Sequence, residues 1–390
     1  MVLRPLTLIG IILSIVTGLA LGVGTHLYTR DKAPDPSRTL SEALRQVSES
    51  YVTEISEAAL LEFAIEGMMN GLDEHSAYLD PGSFESLQTT TSGRFGGIGI
   101  ELGLVDGYFT VVAPMDGTPA AAAGLAPGDR ITAVNGDPIK GVKLSRLIKI
   151  LRGVPGSPVS LSILRKDEDT FDVRIRRAII RVTSVKSRLL EPGYGYVRIS
   201  QFQNNTSRDV AAALKALAAE DGGDLKGLVL DLRNNPGGTL QSSVDVADHF
   251  LDGGLIVYTE GRLQSSHAKY RATKGDKLNG VPMVVLINSG SASASEIVAA
   301  ALGDHNRATL IGSKSYGKGS VQSVLPLDDA QALKITTAYY FTPAGTSIHK
   351  KGIEPDVTLR LDAERLVDEA VQHLKSLSQT RHVYLSPVSE

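Results

Sequence analysis

The chain has 390 residues, a hydrophobic fraction of 42%, a charged fraction of 21% and a formal net charge of −3. This length leaves room for two or three folded domains, and the near-neutral charge argues against a general surface for nucleic acid. The sequence contains no cysteine, which excludes a structural disulfide, a cysteine nucleophile, a thiolate metal site and a lipid anchor on cysteine.

The first predicted element is an apolar segment at the N-terminus. From Pro5 to Tyr28 no side chain is acidic or basic except His26. About 20 apolar residues are enough to span a bilayer, so we predict that residues 1–30 are a membrane anchor or an export signal. A cleaved signal has a shorter apolar centre and a clear small-residue cleavage motif. An uncleaved anchor is therefore favoured, and in both cases the rest of the chain is exported.

Two regions of different character follow. Residues 37–69 carry apolar side chains at helical spacing, and residues 73–83 are rich in turn residues. Residues 93–178 begin with clustered glycines and then show short β-type runs and two helical stretches, at 120–124 and 144–152. The runs predict strands at 98–104, 108–113, 129–134, 159–164 and 170–176. A compact, partly open β-barrel is expected.

From Tyr194 onward predicted strands and helices alternate, which is typical of an α/β fold with a largely parallel sheet. The apolar runs 225–232 and 281–287 have strand length and suit strands buried on both faces. The remaining predicted strands are 195–200, 308–312 and 333–340. The predicted helices are 207–220, 294–302 and 362–377.

Four serines compete as a nucleophile after the second apolar run: Ser289, Ser291, Ser293 and Ser295. They lie at a strand-to-helix turn, where α/β enzymes expose a nucleophile and where helix N–H groups face developing negative charge. A serine-rich helix cap alone would be an ordinary packing feature. The local chemistry does not choose among the four.

Lys318 stands between two glycines shortly after the predicted strand 308–312. A serine hydroxyl needs a base, and a lysine can serve if burial lowers its pKa. Lys314 and Lys334 are rival lysines. The histidines are scattered, so a Ser-His-Asp triad is not favoured.

An oxyanion stabiliser is expected near the same site. Residues 231–238 follow a buried strand and end in Gly237 and Gly238, whose N–H groups could face a cleft. The N–H of Ala294, directly after Ser293, is the natural second donor. The alternative is an ordinary Pro-Gly turn.

In this order, the motifs resemble those of the carboxyl-terminal processing proteases, a Ser-Lys peptidase family of bacterial envelopes and chloroplast lumens. The resemblance covers the chain from about Leu40 to Leu361. It rests on residues 79–81, 91–100, 291–297, 316–319, 343–348 and 352–356. Each piece is weak alone, but the ordered set is specific.

The resemblance implies that Ser293 is the nucleophile and that Lys318, 25 residues later, is the base. It implies that Gln322 orients the lysine. The oxyanion donors would be the N–H of Ala294 and that of Gly237 or Gly238, between which spacing does not decide. No metal or cofactor is expected.

The resemblance also implies that residues 93–178 form a PDZ domain. Its carboxylate-binding loop would be Gly97-Ile98-Gly99-Ile100, whose glycines let successive N–H groups form a nest for a chain terminus. Arg152 stands where relatives often have an arginine linked to switching between inactive and active states. The domain would deliver C-terminal tails and gate the site.

The expected fold is thus a crotonase/ClpP-like layered α/β core with an inserted PDZ domain and helical N- and C-terminal segments. The expected domains are residues 1–30 (anchor or signal), 37–92 (helical region and start of the core), 93–178 (PDZ), 179–361 (core with the catalytic pair) and 362–390 (C-terminal helix and tail).

The implied function is a serine endopeptidase that trims or degrades exported proteins from their C-terminal tails. The implied partners are such substrates, an activator or adaptor, further copies of the chain and a membrane, but not nucleic acid. One alternative is a silent PDZ scaffold, which would be expected to lack Ser293 or Lys318, yet both are present. Another, a hydratase with a crotonase-type core, would need an acyl-CoA site, and the sequence shows no carboxylate pair or basic phosphate patch for one.

Overall fold

The computed structural model describes residues 35–166 and 169–385. The predicted anchor or signal, residues 1–30, lies outside these ranges. Among the described residues, no helix combines the length and the apolar character needed to cross a bilayer. The chain divides after Tyr78 into two compact units.

The first unit contains two helices, α1 (Pro36–Ser50) and α2 (Glu57–Asn70). Each begins at a side-chain cap, because Asp35 Oδ1 accepts the Ser37 N–H at 3.1 Å and Ser56 Oγ accepts the Ala59 N–H at 3.2 Å. The predicted helical region is therefore two capped helices. A short strand, β1 (Ala77–Leu79), spans the unit boundary.

The second unit opens with a helix, α3 (Pro81–Ser92), where the sequence predicts a turn as far as residue 83. That prediction is wrong from Pro81 onward. Asp80 caps the helix, since its Oδ1 accepts the Ser83 N–H at 2.6 Å, and Pro81 occupies the first turn, where its missing N–H costs nothing. The same residues that favour a turn also favour a helix start.

A small β-domain follows α3. Its elements are β2 (Arg94–Gly97), β3 (Ile100–Val105), β4 (Tyr108–Pro114), α4 (Pro119–Ala122), β5 (Arg130–Val134), β6 (Asp137–Pro138), α5 (Leu144–Leu151), β7 (Pro158–Leu164), β8 (Phe171–Arg176) and β9 (Ala178–Arg181). The main sheet has the order β3-β4-β5-β7-β8, with β6 on β5. Its own buried core includes Phe109, Val111, Leu147 and Leu161. The antiparallel pair β2–β9 joins the domain's two ends.

The larger domain is built on a mostly parallel sheet. Its elements are β10 (Val185–Glu191), β11 (Tyr194–Ile199), α6 (Thr206–Asp221), β12 (Gly227–Asp231), α7 (Leu240–Asp248), β13 (Gly254–Glu260), β14 (Ala268–Ala272), β15 (Met283–Ile287), α8 (Ala294–Asp304), β16 (Thr309–Gly312), β17 (Ser320–Pro326), β18 (Ala332–Phe341), β19 (Val357–Thr358) and α9 (Ala363–Leu385). A 3₁₀ turn covers Gln264–Ser266.

The sheet order is β10-β11-β12-β15-β16-β19, and the strands from β11 to β19 are parallel. Successive side chains of a strand point to opposite faces. Leu228 and Leu230 accordingly join a core that includes residues of α6, α7 and α8. Val229 and Val284 join a second core that includes residues of α9. The sheet is covered on both faces.

The predicted α/β class, with a layered core, an inserted β-domain and helical terminal segments, is confirmed. In the larger domain, the elements that were not predicted are α7 and the strands β10, β13, β14, β17 and β19. The strands β14, β13, β18 and β17 pair antiparallel, in that order, in a second sheet. Strand β17 begins two residues after Lys318, so this second sheet reaches the predicted site.

Candidate active site

Three loops meet at the carboxyl edge of the parallel sheet, the edge where α/β folds place their ligand sites. They follow β12, β15 and β16 and contain the predicted oxyanion loop, Ser293 and Lys318. Main-chain hydrogen bonds join them: the Ala292 N–H donates to Asn235 O at 3.0 Å, and the Tyr316 N–H donates to Ser291 O at 3.0 Å. The sheet thus brings together segments that are far apart in sequence.

The structure separates the four competing serines. Ser291 and Ser295 are fully buried, and their hydroxyls donate to the carbonyls of Leu232 at 2.8 Å and Asn235 at 2.9 Å. Ser289 is on the exposed part of the loop. Ser293 alone is half-buried at the start of α8 and in contact with the loop that carries Gly237.

The backbone of Ser293 is strained, with φ 56° and ψ −113°. A non-glycine residue with positive φ at a functional turn costs of order 1–3 kcal/mol and needs support from its surroundings. The support here is Glu296, whose Oε2 accepts the Ser293 N–H at 2.7 Å. A carboxylate three residues into a helix, reaching back to the residue before the helix, forms half of a capping box.

Glu296 is fully buried and accepts four hydrogen bonds. Besides the Ser293 N–H, it accepts the hydroxyl of Ser315 at 2.6 Å and the N–H groups of Gly317 at 2.6 Å and Lys318 at 2.9 Å. Burial raises the pKa of its carboxyl, and these bonds oppose the rise. The residue ties the Ser293 turn to the Lys318 loop, a role that the sequence analysis did not assign.

The side chain of Lys318 is half-buried, and in the described part of the chain its ammonium has no hydrogen bond or ion pair. Burial lowers the pKa of Lys318, the neighbouring Lys334 lowers it further, and Glu296 opposes both effects. Lys314, by contrast, is exposed and pairs with Glu354 at 2.6 Å. Lys318 thus has the environment that favours a neutral lysine.

The glycines on both sides of Lys318 have a packing role. A Cβ on Gly317 would lie 2.9 Å from the Gly352 nitrogen, and one on Gly319 would lie 2.3 Å from the His349 nitrogen. The Lys350 N–H donates to Gly317 O at 2.8 Å. The lysine loop is therefore pressed against residues 348–352, and a side chain at either glycine would separate the two segments.

The loop after β12 lies directly against Ser293. A Cβ on Gly237 would lie 2.8 Å from the Ser293 Cβ and 3.1 Å from the Ala294 nitrogen. The Gly237 N–H already donates to Asn235 Oδ1 at 2.9 Å. Gly238 forms a parallel bridge with Phe202. In that bridge Gly237 O accepts the Phe202 N–H and the Thr239 N–H donates to Phe202 O, so the Gly238 N–H points away from Phe202.

The start of this loop is fixed by a buried charge cluster that was not predicted. The Asp231 carboxylate, fully buried at the end of β12, accepts two bonds from the Arg233 side chain, at 2.9 and 2.6 Å. It also accepts the Tyr196 hydroxyl at 2.7 Å and Arg198 at 3.1 Å. Burial opposes ionisation, but Arg233 and Tyr196 outweigh it and lower the pKa of Asp231.

Gln322 and Tyr340 lie on neighbouring strands close to Lys318. The Gln322 amide donates to Ser320 Oγ at 3.0 Å and to Thr336 Oγ1 at 3.2 Å. Its predicted bond to Lys318 is not among these contacts. Tyr340, which the sequence analysis did not select, donates its hydroxyl to the Lys318 carbonyl.

A groove of about 200 Å³ runs along the small β-domain between the β3 side and α5. It is lined by Phe95, Gly97, Ile98, Gly99, Ile100, Leu102, Leu144, Ile148, Leu151 and Arg152. All four residues of the predicted carboxylate-binding loop are among them. In the described part of the chain, the N–H groups of Ile98 and Gly99 have no acceptor, while their carbonyls accept bonds from Ala120 and Met115.

Arg152 stands at the end of α5 and of this groove. Its guanidinium carbon lies 4.7 Å from the centre of the Phe95 ring, a cation–π arrangement. Its Nε is buried and has no hydrogen-bond partner among the described residues. The arginine therefore has unused hydrogen-bonding capacity at a site lined mainly by apolar side chains.

Comparisons with known proteins find matches for both the larger domain and the small β-domain. Residues 193–359 match peptidase family S41, and residues 110–165 match the PDZ domain. The carboxy-terminal-processing protease of Bartonella bacilliformis is 46% identical over 320 residues, which cover 82% of this chain and 74% of that protein.

Two further similarities extend the comparison. The carboxy-terminal processing protease CtpA of Bacillus subtilis is 35% identical over 323 residues, which cover 83% of this chain and 68% of that protein. The solved photosystem II D1 C-terminal processing protease is 30% identical with a TM-score of 0.49, covering 86% of this chain and 95% of that chain. The predicted family and PDZ domain are confirmed: the chain belongs to the carboxy-terminal processing proteases, serine endopeptidases of peptidase family S41.

Proposed function

We propose that this protease cleaves peptide bonds with Ser293 as nucleophile and Lys318 as general base. The neutral lysine takes the hydroxyl proton as Ser293 attacks the scissile carbonyl, and the resulting ammonium then donates that proton to the leaving amine. Water hydrolyses the acyl-enzyme by the same route. The observation that carries this proposal is the half-buried Lys318 ammonium, which has no hydrogen bond or ion pair among the described residues. Through Glu296, the main chain of Lys318 is tied to that of Ser293, the only half-buried serine of the four candidates.

The proposed oxyanion donors are the N–H groups of Ala294 and Gly238. Ala294 is the first residue of α8, so its N–H has no partner within the helix. Gly238 is favoured over Gly237 because the Gly237 N–H is engaged with Asn235. Gly237 instead supplies the close contact with Ser293 that a larger residue would prevent.

We retain Gln322 as the residue that orients the lysine during catalysis. Its amide is two residues into β17 and bonded to Ser320 and Thr336, so a change of its rotamer would exchange these bonds for one to Lys318. Such an exchange suits an enzyme with a resting and an active state.

The proposed substrates are exported proteins with accessible C-termini, which the PDZ groove binds before cleavage. The N–H groups of Ile98 and Gly99 would hold the terminal carboxylate, and the apolar lining would receive the last side chain. The open bonding capacity of Arg152 supports a role in linking peptide binding to activation.

The remaining proposals concern the whole protein. The apolar run before Tyr28 supports export with an N-terminal anchor or signal, and hence an extracytoplasmic site of action. We propose the domain boundaries given by the sequence: 37–92, 93–178, 179–361 and 362–390. Self-association and an activator or adaptor protein also remain proposals.

The test is hydrolysis of a fluorescently labelled unfolded protein by the purified chain. Ser293→Ala and Lys318→Ala should abolish cleavage, while the matched changes Ser289→Ala and Lys314→Ala should leave it intact. Cleavage by either dyad variant would overturn the assignment. If wild type binds C-terminal peptides but never cleaves, even with an extract of the cell envelope, the alternative of a silent PDZ scaffold is supported instead.

A further inference from the structure

Tyr340 is a fully buried residue of β18 that binds the main chain of the loop carrying Lys318. It is 1% exposed, and its main-chain N–H donates to Gly319 O at 3.0 Å. Its hydroxyl donates to the carbonyl of the preceding residue, Lys318. One tyrosine therefore holds two successive carbonyls of the lysine loop.

A phenol has one proton to donate. The proton of the Tyr340 hydroxyl goes to the Lys318 carbonyl. Burial and the charge of Glu296 raise the pKa of Tyr340 well above its ordinary value, so the hydroxyl stays protonated and keeps this bonding direction.

Glu296 and Tyr340 both bind the main chain of Lys318. Glu296 accepts the N–H groups of Ser293 and Lys318, whereas the Tyr340 hydroxyl donates to the Lys318 carbonyl. The two residues belong to different elements, α8 and β18. The Lys318 peptide is held at both its N–H and its C=O, which limits rotation of the segment that aims the lysine side chain.

We propose that Tyr340 is a positioning residue, whose hydroxyl fixes the Lys318 main chain and thereby the direction in which the lysine side chain points toward Ser293. The inference rests on the proposed roles of these two residues. Tyr340 takes no proton in the reaction. It limits the orientations that the Lys318 main chain can adopt, and so the orientations from which the lysine nitrogen can take the proton of the Ser293 hydroxyl.

The test is Tyr340→Phe in the full chain, which keeps the buried ring and the main-chain bond and removes only the hydroxyl. We expect kcat to fall by about 10- to 100-fold, as a small misplacement of a catalytic group costs, with KM within about twofold because this residue does not touch the PDZ groove. The groups that face Lys318 are Lys334 and Glu296. Their charges are unchanged in the variant, but a less restrained lysine becomes more exposed to solvent, and its pKa rises toward the ordinary value. The acid limb of the kcat–pH profile should therefore move to higher pH.

The matched control is Tyr339→Phe, because Tyr339 is the adjacent residue, is 44% exposed and faces the other side of the strand. It should keep wild-type kinetics. Val246→Ala, a cavity in the core at α7, serves as a destabilised control that leaves the site untouched. Assays run well below the lowest Tm of the set.

Wild-type kcat and pH profile in Tyr340→Phe would overturn the inference. The inference would also be overturned if Val246→Ala, at the same stability as Tyr340→Phe, lost as much kcat and neither variant shifted the acid limb. The role of Tyr340 would then be structural only. Ser293→Ala and Lys318→Ala are measured alongside. Activity in either of these would defeat the proposed dyad itself, which is a result distinct from a neutral Tyr340→Phe.

Discussion

The main-chain N–H groups of Ser293 and Lys318 donate to one and the same carboxylate oxygen. Glu296 Oε2 accepts them at 2.7 and 2.9 Å. The two residues are 25 positions apart in sequence and lie on loops that follow different strands. A single buried atom therefore fixes the separation of their backbones, and the Ser293 turn cannot move without disturbing the lysine loop.

The first prediction concerns this atom. In Glu296→Gln an amide NH₂ replaces one of the two carboxylate oxygens, each of which accepts two donors. The buried donors that face the NH₂ lose their acceptor, which costs about 1–3 kcal/mol of unfolding free energy each. We expect a loss of about 2–4 kcal/mol in unfolding free energy and at least a 100-fold loss of kcat. Thermal unfolding and casein hydrolysis measure the two effects.

The control for this change is Glu260→Gln, which alters an exposed glutamate of β13 and should be neutral. If Glu296→Gln unfolds at the wild-type temperature, the carboxylate does not bind the four donors as described. If it is destabilised yet fully active, the shared oxygen does not control the catalytic geometry.

The sequence was most informative where local chemistry and chain order coincide. Ser293 and Lys318 could be chosen because their spacing and the flanking glycines form an ordered family motif. The predicted α/β alternation also follows directly from apolar runs of strand length. Glu296 could have been found as well, since a serine followed three residues later by glutamate at a helix start is a capping-box pattern.

Other parts of the site had no local pattern to reveal them. Tyr340 is one aromatic residue among several in a strand, and only the pairing of β17 with β18 brings it to Lys318. The choice between Gly237 and Gly238 depends on which N–H the Asn235 side chain accepts. The turn prediction at Pro81 failed because aspartate and proline favour turns and helix starts alike.

The second prediction uses two glycines with nearly the same backbone. Gly237 has φ +105° and Gly253 has φ +110°, but a Cβ on Gly237 would lie 2.8 Å from Ser293, whereas nothing lies within 4 Å of one on Gly253. In both alanine variants, backbone strain should lower the free energy of unfolding by about 1 kcal/mol. Only Gly237→Ala should also lose activity, by about 100-fold.

Steady-state kinetics and chemical unfolding of both variants decide this point. Equal activities would mean that the Gly237 contact does not constrain the nucleophile. Equal losses in both variants would attribute the effect to backbone strain alone.

The third prediction follows from the charge of Lys318. Burial, then Lys334, lowers the pKa of this lysine below its ordinary 10.5. Below the lowered pKa, the folded state carries the full cost of a half-buried ammonium. As pH rises toward 10.5, the folded state releases the proton before the unfolded state does, and the cost disappears. Lys318→Met should therefore be more stable than wild type at neutral pH. Its Tm should be higher by about 2–4 °C for each kcal/mol of unfolding free energy that the substitution gains.

The stability gap between Lys318→Met and wild type should shrink as pH rises toward 10.5. Differential scanning calorimetry at several pH values measures it. Lys314→Met, which removes an exposed lysine paired with Glu354, should show no such gain. A gap that is independent of pH, or a less stable Lys318→Met protein, would contradict the lowered pKa.

The last prediction concerns the PDZ groove. Ile148 lines the groove and is 38% exposed, so Ile148→Glu should fold normally while placing a negative charge where a chain-terminal carboxylate and an apolar side chain are expected to bind. Like-charge repulsion and lost apolar contact should weaken binding of a fluorescent peptide with an apolar C-terminus at least 10-fold. Val105→Glu alters an exposed apolar residue of β3 outside the groove lining and should bind as wild type does. If a peptide with an amidated C-terminus binds wild type as tightly as the free acid, the groove does not recognise the carboxylate. If Ile148→Glu binds both peptides as tightly as wild type does, the tail binds elsewhere on the protein.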